Sequence, residues 1–413
     1  TLFHSLWCLA AQRKGMVIYM NIRAIAKNQC TGCTACMTVC PMECIFMTAD
    51  EEGFLYPDIY VEKCIECGKC LNKCPANKPV DLRTPLKALA ATGKDATEVC
   101  NSSSGGAFYL CAKYVIEQLH GLVCGAVLNE DLSLQHEITD NMTGVTRMQG
   151  SKYIQSNLGG CLEEIAEYAA AGRKVLVCGT PCQIAAVNRV VKEGRDNLFT
   201  LDLICHGVPS AKKFSEYINS VYGCYPYDNF TFRQRNKYVL TSYSYSYKNK
   251  KSTDKQVCID SFNDPFYQAF LDGHNYRESC YHCVYASPKR VGDITIGDCA
   301  NTKAYPSLMG RALSSMIINS AQGERLWKAI QSSVDYVDAD YECETRLNKQ
   351  LHIPVKRTDK RDEFYYDLKA LPIEQLRKKY CPKRTAKERL KHFIIWHVPY
   401  KLRYKVIGVL RRN

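Results

Sequence analysis

The stretch that decides the first part of the fold is Cys30-Thr-Gly-Cys33-Thr-Ala-Cys36-Met-Thr-Val-Cys40-Pro41, and the chain repeats it as Cys64-Ile-Glu-Cys67-Gly-Lys-Cys70-Leu-Asn-Lys-Cys74-Pro75. Three closely spaced thiolates in each run can hold three corners of an iron–sulfur cube, and the fourth corner is reached from the other run. The repeat therefore predicts two [4Fe–4S] clusters. The first would be held by Cys30, Cys33, Cys36 and Cys74, and the second by Cys64, Cys67, Cys70 and Cys40.

The C-x2-C-x2-C-x3-C-P spacing is that of bacterial two-cluster ferredoxins, and the other common uses of clustered cysteines fit it poorly. Structural zinc sites pair two well-separated C-x2-C knuckles and do not place three cysteines in one loop. Disulfides cannot readily join cysteines that are crowded on one turn. Cys44 lies outside the repeat, and we interpret it as a small buried hydrophobic residue.

Length and composition limit the class of protein. A chain of 413 residues predicts two or three domains, and its 46% hydrophobic and 23% charged residues exclude a disordered chain. No apolar run reaches the roughly 18–20 residues of a membrane span. The 24 cysteines on such a long chain are typical of metal clusters in a reducing cytoplasm rather than of a secreted disulfide scaffold.

The net charge of +13 is concentrated at the C-terminus, where residues 381–413 contain ten Lys and Arg and one Glu. The rest of the chain is nearly balanced, which argues against a nucleic-acid-binding protein. Aromatic and aliphatic residues lie between the basic ones. This pattern predicts peripheral contact with an anionic membrane surface or, alternatively, a solvated helix that packs one face on the body.

The middle of the chain reads as strand–loop–helix units. Strands are predicted at residues 122–128, 174–178 and 198–204, and the Ser/Gly loop 101–106 opens an amphipathic helix. Such a helix N-terminus can bind an anion, although an ordinary capped helix explains the loop equally well. A second helix is predicted to begin at Pro181 with Thr180 as its cap, which places Cys182 in the first turn.

Two cysteines follow successive predicted strands, Cys182 and Cys205, and are expected to meet at the carboxyl edge of the sheet. Cys280 and Cys283 complete a set of four, which is what a third [4Fe–4S] cluster needs. A zinc site or a redox pair remains an alternative for the C-x2-C pair. We further expect the helix dipole to lower the pKa of the Cys182 thiol.

The combination of motifs resembles the coenzyme F420 hydrogenase/dehydrogenase beta-subunit family, in its bacterial form with an N-terminal two-cluster ferredoxin. The resemblance covers residues 25–340 and rests on the two cysteine runs together with six further motifs. These are Ser103-Ser104-Gly105-Gly106, Ser151-Lys152-Tyr153, Gly179-Thr180-Pro181-Cys182-Gln183, Cys205-His206-Gly207-Val208-Pro209-Ser210, Cys280-Tyr-His-Cys283 and Asp293-Ile-Thr-Ile-Gly-Asp298. One departure is Cys299, which stands where the family often has an aromatic residue and could replace or crowd an assigned ligand.

The resemblance implies an FAD-binding domain with its own iron–sulfur cluster. The residues that would hold the FAD phosphates are Ser103, Ser104, Gly105, Gly106, Gly179, Thr180, Pro181 and Gln183. The isoalloxazine or ribityl region would contact Ser151, Lys152 and Tyr153. Lys152 is the candidate catalytic residue, since its charge would favour reduced flavin; the alternative is a plain surface lysine.

We therefore predict an α+β protein with an unfolded leader or fragment edge (1–20), a two-cluster ferredoxin-like domain (21–80), a larger α/β domain that binds FAD and a third cluster (86–340) and a basic, mainly helical C-terminal extension (341–413). The predicted function is a cytoplasmic oxidoreductase that passes electrons between the clusters and a two-electron carrier or substrate through FAD. Its partners would be a redox protein or ferredoxin and a small molecule, without nucleic acid. The alternatives are an electron-transfer subunit without its own substrate and a non-catalytic, zinc-containing interaction protein.

Overall fold

The computed structural model describes residues 20–223, 226–236, 239–249 and 253–403. The predicted leader, apart from Met20, and the last ten residues of the basic extension lie outside these ranges. The described chain is a mixed α/β protein with a ferredoxin-type N-terminal region, as predicted.

The N-terminal region consists of one hairpin and two short helices. Strands β1 (Ile45–Ala49) and β2 (Leu55–Ile59) pair antiparallel, and helices α1 (Ala35–Thr38) and α2 (Lys69–Lys73) each begin inside a cysteine run. The residue before each helix is left-handed, with φ of 63° at Thr34 and 69° at Gly68. Both positions lie between the second and third cysteines of their runs, so the two runs turn sharply at the same point.

The body is built on eight strands in one sheet, in the order β13-β3-β12-β11-β7-β6-β4-β5. Strands β4, β6, β7 and β11 run parallel, and the other four pair antiparallel with their neighbours. A separate antiparallel sheet of three strands has the order β10-β9-β8. The strands of the body are β3 (Lys87–Gly93), β4 (Leu122–Leu128), β5 (Leu134–Thr139), β6 (Val175–Gly179), β7 (Leu198–Leu203), β8 (Tyr227–Gln234), β9 (Ser242–Asn249), β10 (Thr253–Asp260), β11 (Ile294–Asp298), β12 (Ser314–Ile318) and β13 (Val334–Asp338).

Helices cover the large sheet and the small one. The three predicted strands agree with β4, β6 and β7 to within one residue at each end, and the helix predicted at Pro181 begins there with a capping box between Thr180 and Gln183. The remaining α-helices are α3 (Ala107–Glu117), α4 (Met142–Met148), α5 (Cys161–Ala170), α6 (Pro181–Val190), α7 (Ala211–Tyr222), α8 (Pro265–Asp272), α9 (Ala321–Ile330), α10 (Tyr341–Leu347), α11 (Lys360–Ala370), α12 (Ile373–Tyr380) and α13 (Ala386–His397).

The residues after 341 begin as part of the body. Phe364, Tyr365 and Leu376 on α11 and α12 are buried, and the first two belong to an aromatic cluster that also contains Phe214 and Phe266. Helix α13 lies further out and exposes Leu390 and Phe393, among other apolar residues. Within the described ranges, no helix is both long and apolar enough to cross a bilayer.

A buried ion pair joins the centre of the large sheet to the segment that contains Cys283. Asp202 near the end of β7 is fully buried, and its carboxylate accepts hydrogen bonds from Arg290 Nη2 at 2.6 Å and from Thr295 Oγ1 at 2.6 Å. Arg290 in turn donates to the carbonyl oxygens of Tyr285 and Ser287, at 3.0 and 3.2 Å. The pair therefore fixes the 283–290 segment against the sheet.

Asp202→Asn is expected to lower the free energy of unfolding by about 3 kcal/mol, because it leaves the Arg290 guanidinium buried without a counter-charge. The matched control is Asp338→Asn, which removes the exposed pair with Lys87 from the same sheet and should cost less than about 1 kcal/mol. Anaerobic denaturant titrations followed by circular dichroism measure both values. Equal losses in the two variants would contradict the role of the buried pair.

Candidate functional site

The cysteines assigned to the first cluster lie together in the N-terminal region. Electrostatic interactions connect Cys33 with Cys30 and Cys74, and Cys36 with all three of them. Burial raises the pKa of the Cys33 thiol to about 12. The set therefore fits a cluster, whose positive irons would convert buried thiols to thiolates.

The cysteines assigned to the second cluster line one small cavity, and Cys67 is exposed at its edge. Cys44 lines the same cavity, and its Sγ atom lies 3.4 Å from Cys40 Sγ. Cys44 is buried, as the sequence predicts, but its position beside the cluster ligands was not predicted. The cavity is lined by Cys40, Cys64, Cys67 and Cys70.

The cysteines assigned to the third cluster also share a cavity, of about 290 Å³. Cys182 lies in the first turn of α6, Cys205 follows β7, and the C-x2-C pair lies on the turn that follows α8. Residues in and next to the two cysteine runs also line the cavity: Gln29, Thr31, Gly32, Pro75 and Ala76. The four cysteines that line the cavity are Cys182, Cys205, Cys280 and Cys283.

The prediction that the helix dipole lowers the pKa of the Cys182 thiol is wrong for the side chain without bound iron. Burial raises the pKa of the Cys182 thiol to about 12, and the same cause raises the pKa of Cys205 to about 12. Desolvation of a thiolate therefore outweighs the dipole of the helix N-terminus. The charge of bound iron, rather than the helix, would have to ionise these thiols.

Several nearby groups bear on which ion the third site would take. His206 and His282 line the cavity, whereas Cys299 packs with Tyr305 and Leu313 in a separate apolar cluster. Within the described residues, no three Cys, His, Asp or Glu side chains converge on a point as the ligands of a single metal ion do. Four thiols are the number of donors that a cubic cluster would require.

A second cavity, of about 570 Å³, is lined by part of the predicted flavin site. Ser103, Ser151 and Lys152 line it, and the Ser151 N–H donates to Ser103 Oγ at 2.7 Å. Thr180, Pro181 and Gln183 line the third-cluster cavity instead, with Gly179 immediately before them. The structure thus distributes the predicted flavin contacts over two cavities, which the segment from Ser151 to Ser156 connects.

The predicted Gly-Gly cradle has a packing explanation. A Cβ atom on Gly105 would lie 2.1 Å from the Ala91 carbonyl oxygen of β3, and one on Gly106 would lie 2.3 Å from Val99 Cγ1. The Gly105 N–H donates to Ser314 Oγ at 2.9 Å, and Ser104 Oγ also contacts Ser314 Oγ, at 2.9 Å. Close approach of the protein backbone is therefore sufficient reason for both glycines.

Lys152 is neither a plain surface lysine nor freely mobile. Its Nζ donates to the carbonyl oxygens of Met148 at 2.6 Å and Gln149 at 2.9 Å, so it caps the C-terminus of α4. Burial lowers the pKa of its ammonium group to about 7. Tyr153, the next residue, stacks on Phe270 with ring centroids 4.6 Å apart and packs on Phe232, within the aromatic cluster.

Sequence patterns did not identify the arginines of the larger cavity. Arg147, Arg233 and Arg235 line it together with Lys152. Arg233 pairs with Asp298 at 2.6 Å and has a buried Nε atom for which the described residues provide no acceptor. A basic, partly enclosed cavity of this size fits an anionic cofactor such as a dinucleotide. Arg147 lies on α4, Arg233 on β8 and Arg235 just after β8, so no single motif includes them.

Comparison with known proteins defines the class first. Residues 29–78 match the 4Fe-4S dicluster domain, so the chain is an iron–sulfur protein with a ferredoxin-type region. Residues 172–341 match the C terminus of the coenzyme F420 hydrogenase/dehydrogenase beta subunit. The match confirms the resemblance to this oxidoreductase-related family over the C-terminal domain that the family model describes. The segments that contain Ser103 and Ser151 precede the matched C-terminal region.

Individual proteins are similar to all or part of the chain. An uncharacterized protein of Methanocaldococcus jannaschii is 23% identical over 374 residues, which cover 81% of this chain and 95% of that protein. An uncharacterized ferredoxin of the same organism is 38% identical over 53 residues, or 13% of this chain and 68% of the ferredoxin. A chain of the F420-reducing [NiFe] hydrogenase complex from Methanosarcina barkeri aligns with a TM-score of 0.46 and 16% identity, over 71% of this chain and 95% of that one.

Lys152 is expected to react with an amine-directed acylating reagent at pH 7 to 8, because its ammonium group loses its proton near pH 7 whereas ordinary lysines stay protonated to about pH 10.4. Below pH 7 the reaction should fade. Peptide mass spectrometry after labelling at several pH values measures this. The control is Lys113, whose pKa is raised by its hydrogen bond to Glu98. Parallel labelling of both lysines would contradict the lowered pKa.

Proposed function

We propose that the chain is an iron–sulfur flavoprotein oxidoreductase, which passes electrons between ferredoxin-type clusters and a two-electron carrier or substrate through FAD. The observation that carries the proposal is the third-cluster cavity. Four cysteines from three separate segments line it, and so do Thr31 and Gly32 of the first cysteine run. A third cluster in this cavity would be next to the first one, which makes a continuous path into the body.

The path would begin at the second cluster, where a redox partner or ferredoxin could exchange electrons. Cys67 is exposed there, and so are the apolar side chains of Met42, Val61 and Ile65. The cysteines of the first cluster are more enclosed, with Cys36 and Cys74 buried. Electrons would therefore pass from an accessible cluster to a shielded one and then to the third site.

The larger cavity is the proposed location of FAD, which supplies conversion between single-electron and two-electron transfer when bound. Arg147, Arg233 and Arg235 supply positive charge for its phosphates, and the N-terminus of α3 lacks a side-chain cap among the described residues. Lys152 is held at the cavity by the carbonyl oxygens of α4, where its charge would favour reduced flavin. The 151–156 segment would place the redox-active ring towards Thr180 and Cys182.

The second candidate is an electron-transfer subunit that feeds a partner enzyme and has no substrate of its own. What favours this candidate is the ferredoxin-type region itself, since part of the chain is similar to a subunit I of NADH-quinone oxidoreductase from Geobacter metallireducens. That relative is 39% identical over 57 residues, or 13% of this chain and 44% of the subunit. Turnover of a small acceptor by the isolated chain separates the two candidates.

Peripheral membrane contact through the C-terminal helix is part of the proposal. Leu390, Phe393 and Ile394 of α13 are exposed among basic residues. The helix is also tied to the body, because Asp260 accepts a hydrogen bond from His392 and pairs with Arg384. An anchored helix with an exposed apolar side suits a membrane surface.

Cys205→Ser is expected to lower the iron content from about twelve to about eight atoms per chain, since each [4Fe–4S] cluster holds four irons. The first two clusters should remain, because their ligands lie in another region. Iron, zinc and flavin assays with anaerobic absorption spectra measure the loss.

The matched control is Cys299→Ser, which changes a buried cysteine outside the cavity and should keep all the iron. Unchanged iron in the Cys205→Ser protein would contradict the third cluster. Zinc in place of four irons, together with no flavin, would instead support a non-catalytic interaction protein.

Removing residues after Tyr380 is expected to abolish flotation of the protein with vesicles that contain phosphatidylserine, because the basic amphipathic segment is lost. Flotation of the full-length chain should weaken as salt increases, since surface charges are screened. Equal flotation of the two proteins would remove the membrane proposal.

A further inference from the structure

Arg277 is a buried cation at the junction of the ferredoxin-type region and the body. Its side chain is only 1% exposed, although it begins the turn that leads to Cys280. The guanidinium donates from Nε to the Cys30 carbonyl oxygen at 2.8 Å and from Nη2 to the Leu55 carbonyl oxygen at 2.9 Å. Nη1 donates to Gln155 Oε1 at 3.2 Å. The hydrogen-bond donors of the guanidinium thus point towards the first cysteine run and residues near it.

The same guanidinium reaches a predicted cluster ligand directly. Nη2 lies 3.8 Å from Cys30 Sγ, within the range of an N–H···S hydrogen bond. Arg277 also lines the third-cluster cavity, so it lies between the two cysteine sets. Its plane packs over the ring of Tyr56, with 4.1 Å from Cζ to the ring centroid. The hydrogen bonds and the packing on Tyr56 therefore hold the planar guanidinium rigidly in this position.

Arg277 differs from the other two arginines that are almost fully buried. Arg290 pairs with Asp202, and Arg361 pairs with Glu52. Among the residues that the structure describes, no carboxylate pairs with Arg277; its recorded acceptors are neutral oxygens and one sulfur. A guanidinium without a negative partner is costly to bury, which indicates that the missing negative charge comes from a bound group.

We propose that Arg277 is a positioning residue that raises the reduction potential of the first cluster, through its charge and its hydrogen bond to Cys30. The proposal rests on the proposed function, in that Cys30, Cys33, Cys36 and Cys74 hold that cluster. Four thiolates leave a [4Fe–4S] cluster with net negative charge, which grows when the cluster gains an electron. A fixed cation and an N–H···S bond therefore stabilise the reduced state. Electrons would collect on the cluster beside the third site.

The test is a potentiometric titration of the intact, cluster-loaded chain, followed by electron paramagnetic resonance. In Arg277→Gln, the midpoint potential of the first cluster is expected to move to a more negative value, and that of the third cluster to move less in the same direction. The second cluster should keep its midpoint, because Arg277 lines the third-cluster cavity but not the second one. Arg277→Lys should move the midpoint of the first cluster less, because lysine keeps the charge but loses the planar fork.

The control is Arg361→Gln, which also removes a buried contact between the body and the ferredoxin-type region, at Glu52, without touching a cysteine. It should leave all midpoints unchanged. An equal shift of the midpoint potential in Arg361→Gln would mean that contact between the body and the ferredoxin-type region causes the effect. That result would overturn the proposal. Unchanged midpoints in both Arg277 variants would overturn it as well.

Iron assays on the same samples separate this proposal from the function on which it rests. Loss of about four irons from Arg277→Gln but not from Arg277→Lys, with the control intact, would support it, because the negative cluster then depends on the cation that lysine keeps. Loss from both variants would assign the effect to packing and overturn the proposal. About eight irons and no flavin in the unchanged protein would refute the third cluster and the flavin. The Arg277 measurement on the first cluster would remain valid in that case.

Discussion

The parallel pairing of β6 with β7 is the constraint on which the central site depends. The register places Gly179 opposite Asp202, so the two strands end level and the chain leaves both at the same edge of the sheet. Cys182 and Cys205 therefore lie at one cavity. Both strands are buried on both faces, and a slip of register would leave the Asp202 carboxylate without its arginine. The ion pair from Asp202 to Arg290 also holds the segment after Cys283, so one register fixes three of the cavity's segments.

Solvent exposure differs between the sites of the proposed path. Cys67 of the second set is exposed, Cys36 and Cys74 of the first set are buried, and the four cysteines of the third set are half-buried. Exposure, net charge and hydrogen bonds to sulfur set the potentials of iron–sulfur clusters. Three sites with different surroundings are thus suited to hold electrons at different potentials. The buried Arg277 adds a charge where the first and third cysteine sets approach each other.

The two cavities give the body two different environments. The one beside the first cysteine run is lined by thiols, and the larger one is lined by arginines and Lys152. The segment from Ser151 to Ser156 contributes residues to both. An anionic cofactor in the basic cavity would therefore be within one short segment of the third cluster. This arrangement explains how a ferredoxin-type region could be joined to two-electron chemistry.

Patterns among neighbouring residues were enough to predict the local features of the fold. The strands β4, β6 and β7 and the capped start of α6 were each predicted within a residue of their observed positions. The surroundings of Arg277 and Lys152 and the raised pKa of Cys182 depend instead on the tertiary structure. Arg277 contacts Cys30, which is 247 positions away. Lys152 takes its partners from the end of α4, Gly105 packs on β3, and burial of Cys182 overrides its local helix. These effects come from desolvation and long-range contacts, which a local pattern does not contain.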